Sequence, residues 1–250
     1  NSETHQTLLG GLGETHLRNV VARLERKFGV QVDSEDVRVA YRETITAKSS
    51  AEGRYKKQSG GHGQFGIASI RIEPLPAGSG LEFVDEVTGG AIPRQFITAV
   101  EAGVAEAMAQ GGSSGYPVVD VKVAVVDGKH HSVDSSEMSF KMAGRLAFQG
   151  ALGGARCVVL EPVMAVEVTI PSECLGDVMG DLSSRRATVQ GSELDRWGAQ
   201  VISAMAPEAE MLRYSIDLRS ITGGRGRFTA QHDHYSRVPA GVEVPAPPEG

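Results

Sequence analysis

The run Arg54-Tyr55-Lys56-Lys57-Gln58-Ser59-Gly60-Gly61-His62-Gly63-Gln64-Phe65-Gly66 decides between two folds for this chain. Gly61, Gly63 and Gly66 spell G-x-G-x-x-G, the dinucleotide-binding fingerprint, which works only between a buried strand and a following helix. Here polar Lys56, Lys57 and Gln58 lead in. Ile67-Ala68-Ser69-Ile70-Arg71-Ile72-Glu73 follows, with the alternation of a half-buried strand. The glycines therefore join two strands. At roughly 3.3 Å per residue the return strand from Gln64 to Glu73 spans about 30 Å, long enough to project a loop. That loop carries Lys, His and Gln and asks for a partner other than a cofactor.

Working outward, Val39, Tyr41 and Ile45 predict a long strand that continues past Lys48 into the tip. Downstream, Pro74, Pro76, Gly78 and Gly80 make a turn before a strand over Leu81 to Val87. Pro93 suits the first turn of a helix, where its missing N–H costs nothing. Phe96, Ile97, Val100, Val104, Ala107 and Met108 give that helix its apolar stripe until Gly111. Val119, Val121, Val123 and Val125 alternate as the next strand, which ends in a second polar loop from Asp127 to Asp134. Asp134 followed by Glu137 resembles a capping box for a helix running to about Gln149. Two strand-end loops rich in Lys and His thus belong to one small α/β unit and can share one end of it.

Before this unit, His5 to Leu9 reads as a strand, Glu14 to Phe28 as an amphipathic helix, and Val30 to Val32 as another strand. After it come a strand (Val163–Ile170), a helix opened by Pro171, and strands over Ala187–Glu193 and Gln200–Ala206. A helix opened by Pro207 and a strand over Phe228–Tyr235 complete the order β-α-β-β-α-β, a ferredoxin-like module. The opening β-α-β is half of a similar module. The last residues, Val242 to Gly250, form a Pro-rich tail that should not pack.

Composition is that of an ordinary soluble domain, with 40% hydrophobic and 22% charged residues and only 5% aromatics, so aliphatic cores are expected. The net charge of −6 argues against a surface basic all over. Charge is screened within about 10 Å, so local clusters matter more. Between Lys48 and Gln64 four Lys or Arg stand against one acid, Glu52. No apolar run is long enough for a bilayer, and no charged-then-apolar leader is present. Cys157 and Cys174 form no disulfide framework or zinc pattern and read as buried thiols of a reducing compartment. The start at Asn1 gives the chain the look of a piece of a longer polypeptide.

Context decides the remaining strings. Gly111-Gly112-Ser113-Ser114-Gly115 matches the G-x-S-x-G nucleophile elbow, but a helix precedes it and a strand follows, the reverse of what the elbow needs. It reads as a helix-ending linker. His232 and His234 share one face of a strand without Cys, Asp or Glu at ligand spacing, so no metal site is expected. No G-x-x-x-x-G-K-[ST] occurs, and nucleotide hydrolysis has no machinery here. Thr222-Gly223-Gly224-Arg225-Gly226-Arg227-Phe228 is a second glycine-basic loop, in which Arg225 and Arg227 can clamp phosphates. In the first loop Lys56 and Lys57 supply charge while His62 and Gln64 add base-edge hydrogen bonding, a division of labour suited to RNA.

Several longer strings resemble the elongation factor G family. They are Val39-Ala-Tyr-Arg-Glu-Thr-Ile45, Gln58-Ser-Gly-Gly-His-Gly-Gln-Phe-Gly66, Gly115-Tyr-Pro-Val-Val-Asp-Val-Lys-Val123, Val133-Asp-Ser-Ser-Glu-Met138, Gly180-Asp-Leu-Ser-Ser-Arg-Arg186 and Asp217-Leu-Arg-Ser-Ile-Thr-Gly-Gly-Arg-Gly226. The resemblance implies an α+β chain. A partial ferredoxin-like unit over residues 1–37 resembles the latter half of domain III. Residues 38–160 resemble domain IV, with the second-domain fold of ribosomal protein S5 and a left-handed βαβ crossover. Residues 161–238 resemble domain V, a ferredoxin-like module, and residues 239–250 are the tail.

In the family, domain IV tip loops reach the decoding region of the small ribosomal subunit, where transfer and messenger RNA move. By motif, Ser59, Gly60, Gly61, His62, Gly63 and Gln64 form the first loop, and Lys129, His130 and His131 lie in the second. Domain V contacts the GTPase-associated RNA of the large subunit, which Arg225 and Arg227 suit. The resemblance further implies a cytoplasmic monomer whose GTP and Mg²⁺ sit in an upstream domain, with no cofactor in this chain. His62 where relatives carry Arg, and His130 where an aromatic is usual, point to a paralogue. The implied task is translocation, with ribosome recycling or ribosomal protection as alternatives. Protection relatives differ in the second loop and lack Val-Asp-Ser-Ser-Glu.

Overall fold

The computed structural model describes residues 4, 6–11, 13–57 and 63–247. By compactness the chain divides into two units, residues 1–40 with 162–233 and residues 41–161 with 234–250. Helix α1 (Glu14–Phe28) forms where the apolar spacing predicts it and ends on Gly29, whose left-handed φ of 66° suits glycine. The runs on either side, expected as strands, carry no strand pairing among the described residues. A strand needs a second strand to complete its ladder, and the Gln6 side chain instead binds residues 35–38, beyond the expected strand. Its Nε2 donates to Glu35 Oε1 (2.9 Å) and to the Asp36 carbonyl (3.0 Å), and its Oε1 accepts the Arg38 N–H (2.8 Å).

In the second unit β1 (Arg42–Ile45) and β2 (Ser49–Lys57) divide what alternation predicts as one long strand. The Ala155 carbonyl accepts the N–H groups of Thr46 (3.2 Å) and Ala47 (3.0 Å), and the chain turns there. β1 pairs with the start of a later strand, whereas β2 pairs antiparallel with β3 (Gln64–Pro74) in full register from Ser49↔Ile72 to Lys57↔Gln64. With β4 (Leu81–Asp85), α2 (Ile97–Gln110), β5 (Val121–Lys129) and α3 (Glu137–Leu152), these strands build a sheet of order β2-β3-β5-β4. β4 and β5 are parallel, joined through α2.

Alternation decides the faces. Ile70, Ile72, Val123 and Val125 point into a core with Val100, Val104, Phe140 and Phe148 of the helices. Arg71, Glu73 and Lys122, one residue out of phase, form ion pairs instead, Arg71–Glu86 (3.0 Å), Lys48–Glu73 (2.8 Å) and Lys122–Glu82 (2.6 Å). The Pro-rich tail departs from expectation by packing. The buried Tyr116 hydroxyl donates to the Pro245 carbonyl, and Pro247 covers Gly115. A buried phenol needs an acceptor, and burial, with Tyr41 and Glu43 nearby, pushes its pKa up.

The remaining elements follow the expected order: β6 (Cys157–Pro171), α4 (Leu175–Ser184), β7 (Thr188–Leu194), β8 (Ala199–Pro207), α5 (Glu208–Met211), α6 (Tyr214–Ile221) and β9 (Arg227–Arg237). β8 lies between β6 and β7, and β9 pairs with β6, the strand arrangement of a ferredoxin-like module. Cys174 is buried as expected, whereas Cys157 is only half-buried. The chain is thus an α+β protein with two sheets and interleaved helices.

Candidate nucleic-acid interface

The hairpin β2–β3 ends at Lys57 and Gln64, and β5 ends beside it at Lys129, in register with Ile67. Both polar loops therefore leave the same end of one sheet. Ser59, Gly60, Gly61 and His62 lie outside the described residues; Gly63 and Gln64 lie within them.

Asp134 ties the loops together. Its Oδ1 accepts the Gly63 N–H (3.0 Å), and its backbone carbonyl accepts the Phe65 N–H (2.8 Å). Ser135 adds a second link, its hydroxyl donating to the Phe65 carbonyl (2.9 Å) while accepting the His131 N–H (2.9 Å). Asp134 is consequently not the helix cap expected from its spacing to Glu137. Its carboxylate is drawn to Gly63, and Ser136 caps α3, its hydroxyl accepting the Ser139 N–H.

His131 is half-exposed (52%) and fixed by its neighbours. Its Nδ1 accepts the N–H groups of Asp134 (3.2 Å) and Val133 (3.4 Å), so the neutral ring carries its proton on Nε2. Asp134 Oδ2 lies 3.3 Å from the same Nδ1 and becomes its partner once the ring is protonated. The Phe65 ring sits 6.2 Å from that of His131. The Tyr55 hydroxyl donates to Gln64 Oε1 (3.1 Å), which leaves the Gln64 amide donors uncommitted among the described residues.

The lysines are held over aromatic rings, Lys56 Nζ 5.0 Å from the Phe65 centroid and Lys57 Nζ 5.9 Å from that of Tyr55. Such contacts position an ammonium without neutralising it. Lys129 is exposed. His130, adjacent to His131, is used differently: its Nδ1–H donates to the Ala91 carbonyl (3.2 Å). The structure thus gathers Lys56, Gly63, Gln64 and His131 about one tip and ties His130 to the loop before α2.

The two described glycines of the G-x-G-x-x-G string, Gly63 and Gly66, have structural duties here. A Cβ on Gly66 would lie 2.7 Å from the Ser139 carbonyl oxygen, so the third glycine lets α3 lie against the hairpin. A Cβ on Gly63 would meet the Asp134 carboxylate at 3.1 Å. Neither glycine is followed by the helix that a dinucleotide site needs.

In the other unit Arg225 and Arg227 line a cleft of about 470 Å³. Arg225 is engaged, its Nη1 donating to Glu173 Oε1 (2.7 Å) and its Nε to the Thr222 carbonyl (3.2 Å). Glu173 is held below the usual carboxylate range by its own backbone N–H and then by Arg225. The side chain of Arg227, at the start of β9, makes no hydrogen bond or ion pair among the described residues. Also among these residues, no three His, Cys, Asp or Glu side chains gather as metal ligands, and no helix is long and apolar enough to cross a membrane.

Residues 37–156 match the family described as elongation factor G, domain IV. Residues 158–243 match the elongation factor G C-terminus, and residues 1–36 match elongation factor G, domain III. This chain belongs to the elongation factor G family. A crystal structure of a protein from Thermus thermophilus is 41% identical and superposes with a TM-score of 0.87 over 95% of this chain. The chain spans 35% of the length of that relative and corresponds to a C-terminal part of an elongation factor G-like protein.

Within that family framework, three residues carry weight that their local sequence does not announce. Asp134 and Ser135, at the apparent start of a helix, are the bridge between the tip loops. Glu43, inside the first family string, is fully buried. Its carboxylate accepts the N–H groups of Ser114 (2.9 Å) and Tyr116 (3.0 Å) and the Ser113 hydroxyl (3.2 Å). The G-x-S-x-G string, neither a nucleophile elbow nor merely a linker, is therefore the cradle of a carboxylate. The only signal in the sequence is a lone acid between strand-forming residues, where a core side chain is expected.

Proposed function

We propose that this chain is the ribosome-binding part of an elongation factor G-like translational GTPase, and that its hairpin tip contacts transfer and messenger RNA while they move through the small subunit. The observation that carries the reading is the Asp134–Ser135 bridge. It joins Gly63 and Phe65, at the end of the hairpin, to the loop after β5, far away in sequence, and so holds the Gln64 donors and the His131 Nε2–H near Lys56. Uncommitted donors next to fixed positive charge suit phosphate and base-edge acceptors. Arg225 and Arg227 add a second place for RNA, on the large subunit. The full-length protein, working in the cytoplasm, would hold GTP and Mg²⁺ in a domain upstream of these residues. This chain contains no phosphate-loop string.

The test uses the full-length protein. Gln64→Ala and His131→Ala are each expected to slow messenger movement on pre-translocation ribosomes about tenfold, the equivalent of about 1.4 kcal/mol in the barrier, with ribosome-stimulated GTP hydrolysis retained. Unchanged messenger movement in both variants would refute the tip assignment. Slowed subunit splitting with normal messenger movement would move the role to recycling. Antibiotic resistance conferred on a sensitive host would move it to ribosomal protection.

A further inference from the structure

Trp197 is the single tryptophan of the sequence, and 73% of its surface is exposed. Chance mobility does not account for this, because its turn between β7 and β8 is closely tied down. Asp195 Oδ1 accepts the N–H groups of Trp197 (2.9 Å) and Ala199 (2.8 Å), and the Ser172 hydroxyl donates to the Gly198 carbonyl (3.1 Å). The Arg196 guanidinium stacks 4.0 Å from the ring centroid and covers part of the indole. The remaining surface opens on the cleft of about 470 Å³ that Arg225 and Arg227 also line.

We infer that this cleft binds one unstacked nucleotide of a single-stranded RNA segment, its base stacked on Trp197 and its phosphate taken by Arg227, with Arg225 beside it. This deepens the proposed function and rests on that reading for the source of the RNA. The charges of the lining balance, Glu173 and Asp195 against Arg225 and Arg227, so an anion is recruited by an arginine left open rather than by an excess of charge. Both acids of the lining are engaged, Glu173 by Arg225 and Asp195 by two backbone N–H groups, whereas the Arg227 side chain has no partner among the described residues. The chemistry also selects against a protein anchor. Apart from Trp197 the cleft is lined mainly by polar and charged side chains, whereas a protein hot spot sits in a desolvated, well-packed pocket. A flat aromatic in a cleft that two arginines also line matches a base with its phosphate, and such stacking is sequence-tolerant because every base has a π-face.

Because the chain has one tryptophan, its fluorescence reports this contact directly. The 250-residue chain is titrated with single-stranded oligoadenylate, with an RNA duplex of equal length, and with adenosine monophosphate, while ribosome binding is followed separately by co-sedimentation. Saturable quenching by the single strand is expected, with the duplex at least tenfold weaker because its bases are paired. Arg227→Ala should weaken the single strand at least threefold without shifting the emission maximum. Trp197→Ala, read by filter binding, should weaken it about tenfold, and Trp197→Phe should recover part of the loss. Ribosome binding without quenching by single-stranded RNA would overturn the cleft and leave the proposed function standing. Loss of both would overturn both. Tighter quenching by the mononucleotide would assign the cleft to a free nucleotide, and a response to ribosomal proteins but not RNA would assign it to a protein. Either outcome overturns the inference.

Discussion

At the scale of the residue, Glu43 is a tightly constrained side chain, a carboxylate with no exposed surface. Three donors from residues 113–116 make its burial tolerable, since a polar group away from water must be hydrogen-bonded. Glu43→Ala leaves those donors unanswered and opens a hole. Loss of about 3 kcal/mol is expected, read as a lower denaturant midpoint at an unchanged slope. Gly66 illustrates the opposite constraint, one of space. Gly66→Ala puts a methyl group against the Ser139 carbonyl, which is backbone and has little room to yield. It should cost about 2 kcal/mol through overpacking, and a stability equal to wild type would show that α3 is free to shift. Neither role is legible in the sequence, and for one reason. Glu43 meets Ser114 and Gly66 meets Ser139 only after the sheet has formed, and short motifs carry no record of such long-range neighbours. What is legible at Gly66 is the negative result, that a strand and not a helix follows it.

At the scale of the element, hydrophobic period places nearly every helix and strand, because those segments bury one face and the period records which face. One misplaced boundary has a clear cause: a side chain took a backbone group that the period assigns to a regular element. Arg185 does it in the helix expected from Pro207 to Leu218, which breaks between α5 and α6. Its Nη1 donates to the Glu210 carbonyl (2.8 Å), the acceptor that Tyr214 N–H would use in an unbroken helix. The same guanidinium donates to Asp181 (2.9 Å) and Asp217 (2.6 Å) and lies over the Tyr214 ring. Two of the family strings thus meet at one arginine. Arg185→Lys keeps the charge but not the planar fork, and a loss of about 2 kcal/mol is expected, visible as a lower Tm. α5 also gives a pH signature. Burial raises the pKa of Glu208, against a smaller lowering by His232. The folded state therefore favours the protonated acid, and stability falls as pH rises from the unfolded-state value, about 4.3, through the raised folded one. Glu208→Gln removes that loss. Its Tm should exceed wild type at neutral pH and converge with it below about pH 4; a gain that persists in acid would assign the effect to packing.

At the scale of the whole molecule, the α+β class and the pairing of two polar loops at one sheet end can be read from strand order alone. The join between the loops cannot, since Asp134 sits three residues before Glu137 and imitates a helix cap. A cap and a bridge demand the same chemistry, a short acceptor facing a backbone N–H, and only the distance to Gly63 distinguishes them. The distinction has consequences for the full-length factor on the ribosome. If Asp134 were a cap, its loss would loosen the start of α3. As a bridge, its loss should leave α3 intact, because Ser136 caps it, and release the first tip loop instead. Asp134→Ala is therefore expected to speed amide exchange at Gly63 at least tenfold while exchange at Ser139 stays as in wild type, with a global cost of about 1 kcal/mol. Messenger movement should slow along with the loosened tip. Asp134→Asn keeps an oxygen for the Gly63 N–H but loses the charge that receives a protonated His131, so it should restore slow exchange at Gly63. Comparing the two variants on ribosomes separates the parts of the bridge. If Asn restores both exchange and messenger movement, preorganisation of the loops is what the tip needs. If it restores exchange alone, the charge beside His131 is needed as well. Faster exchange at Ser139 in the Ala variant would return Asp134 to the helix and dissolve the bridge.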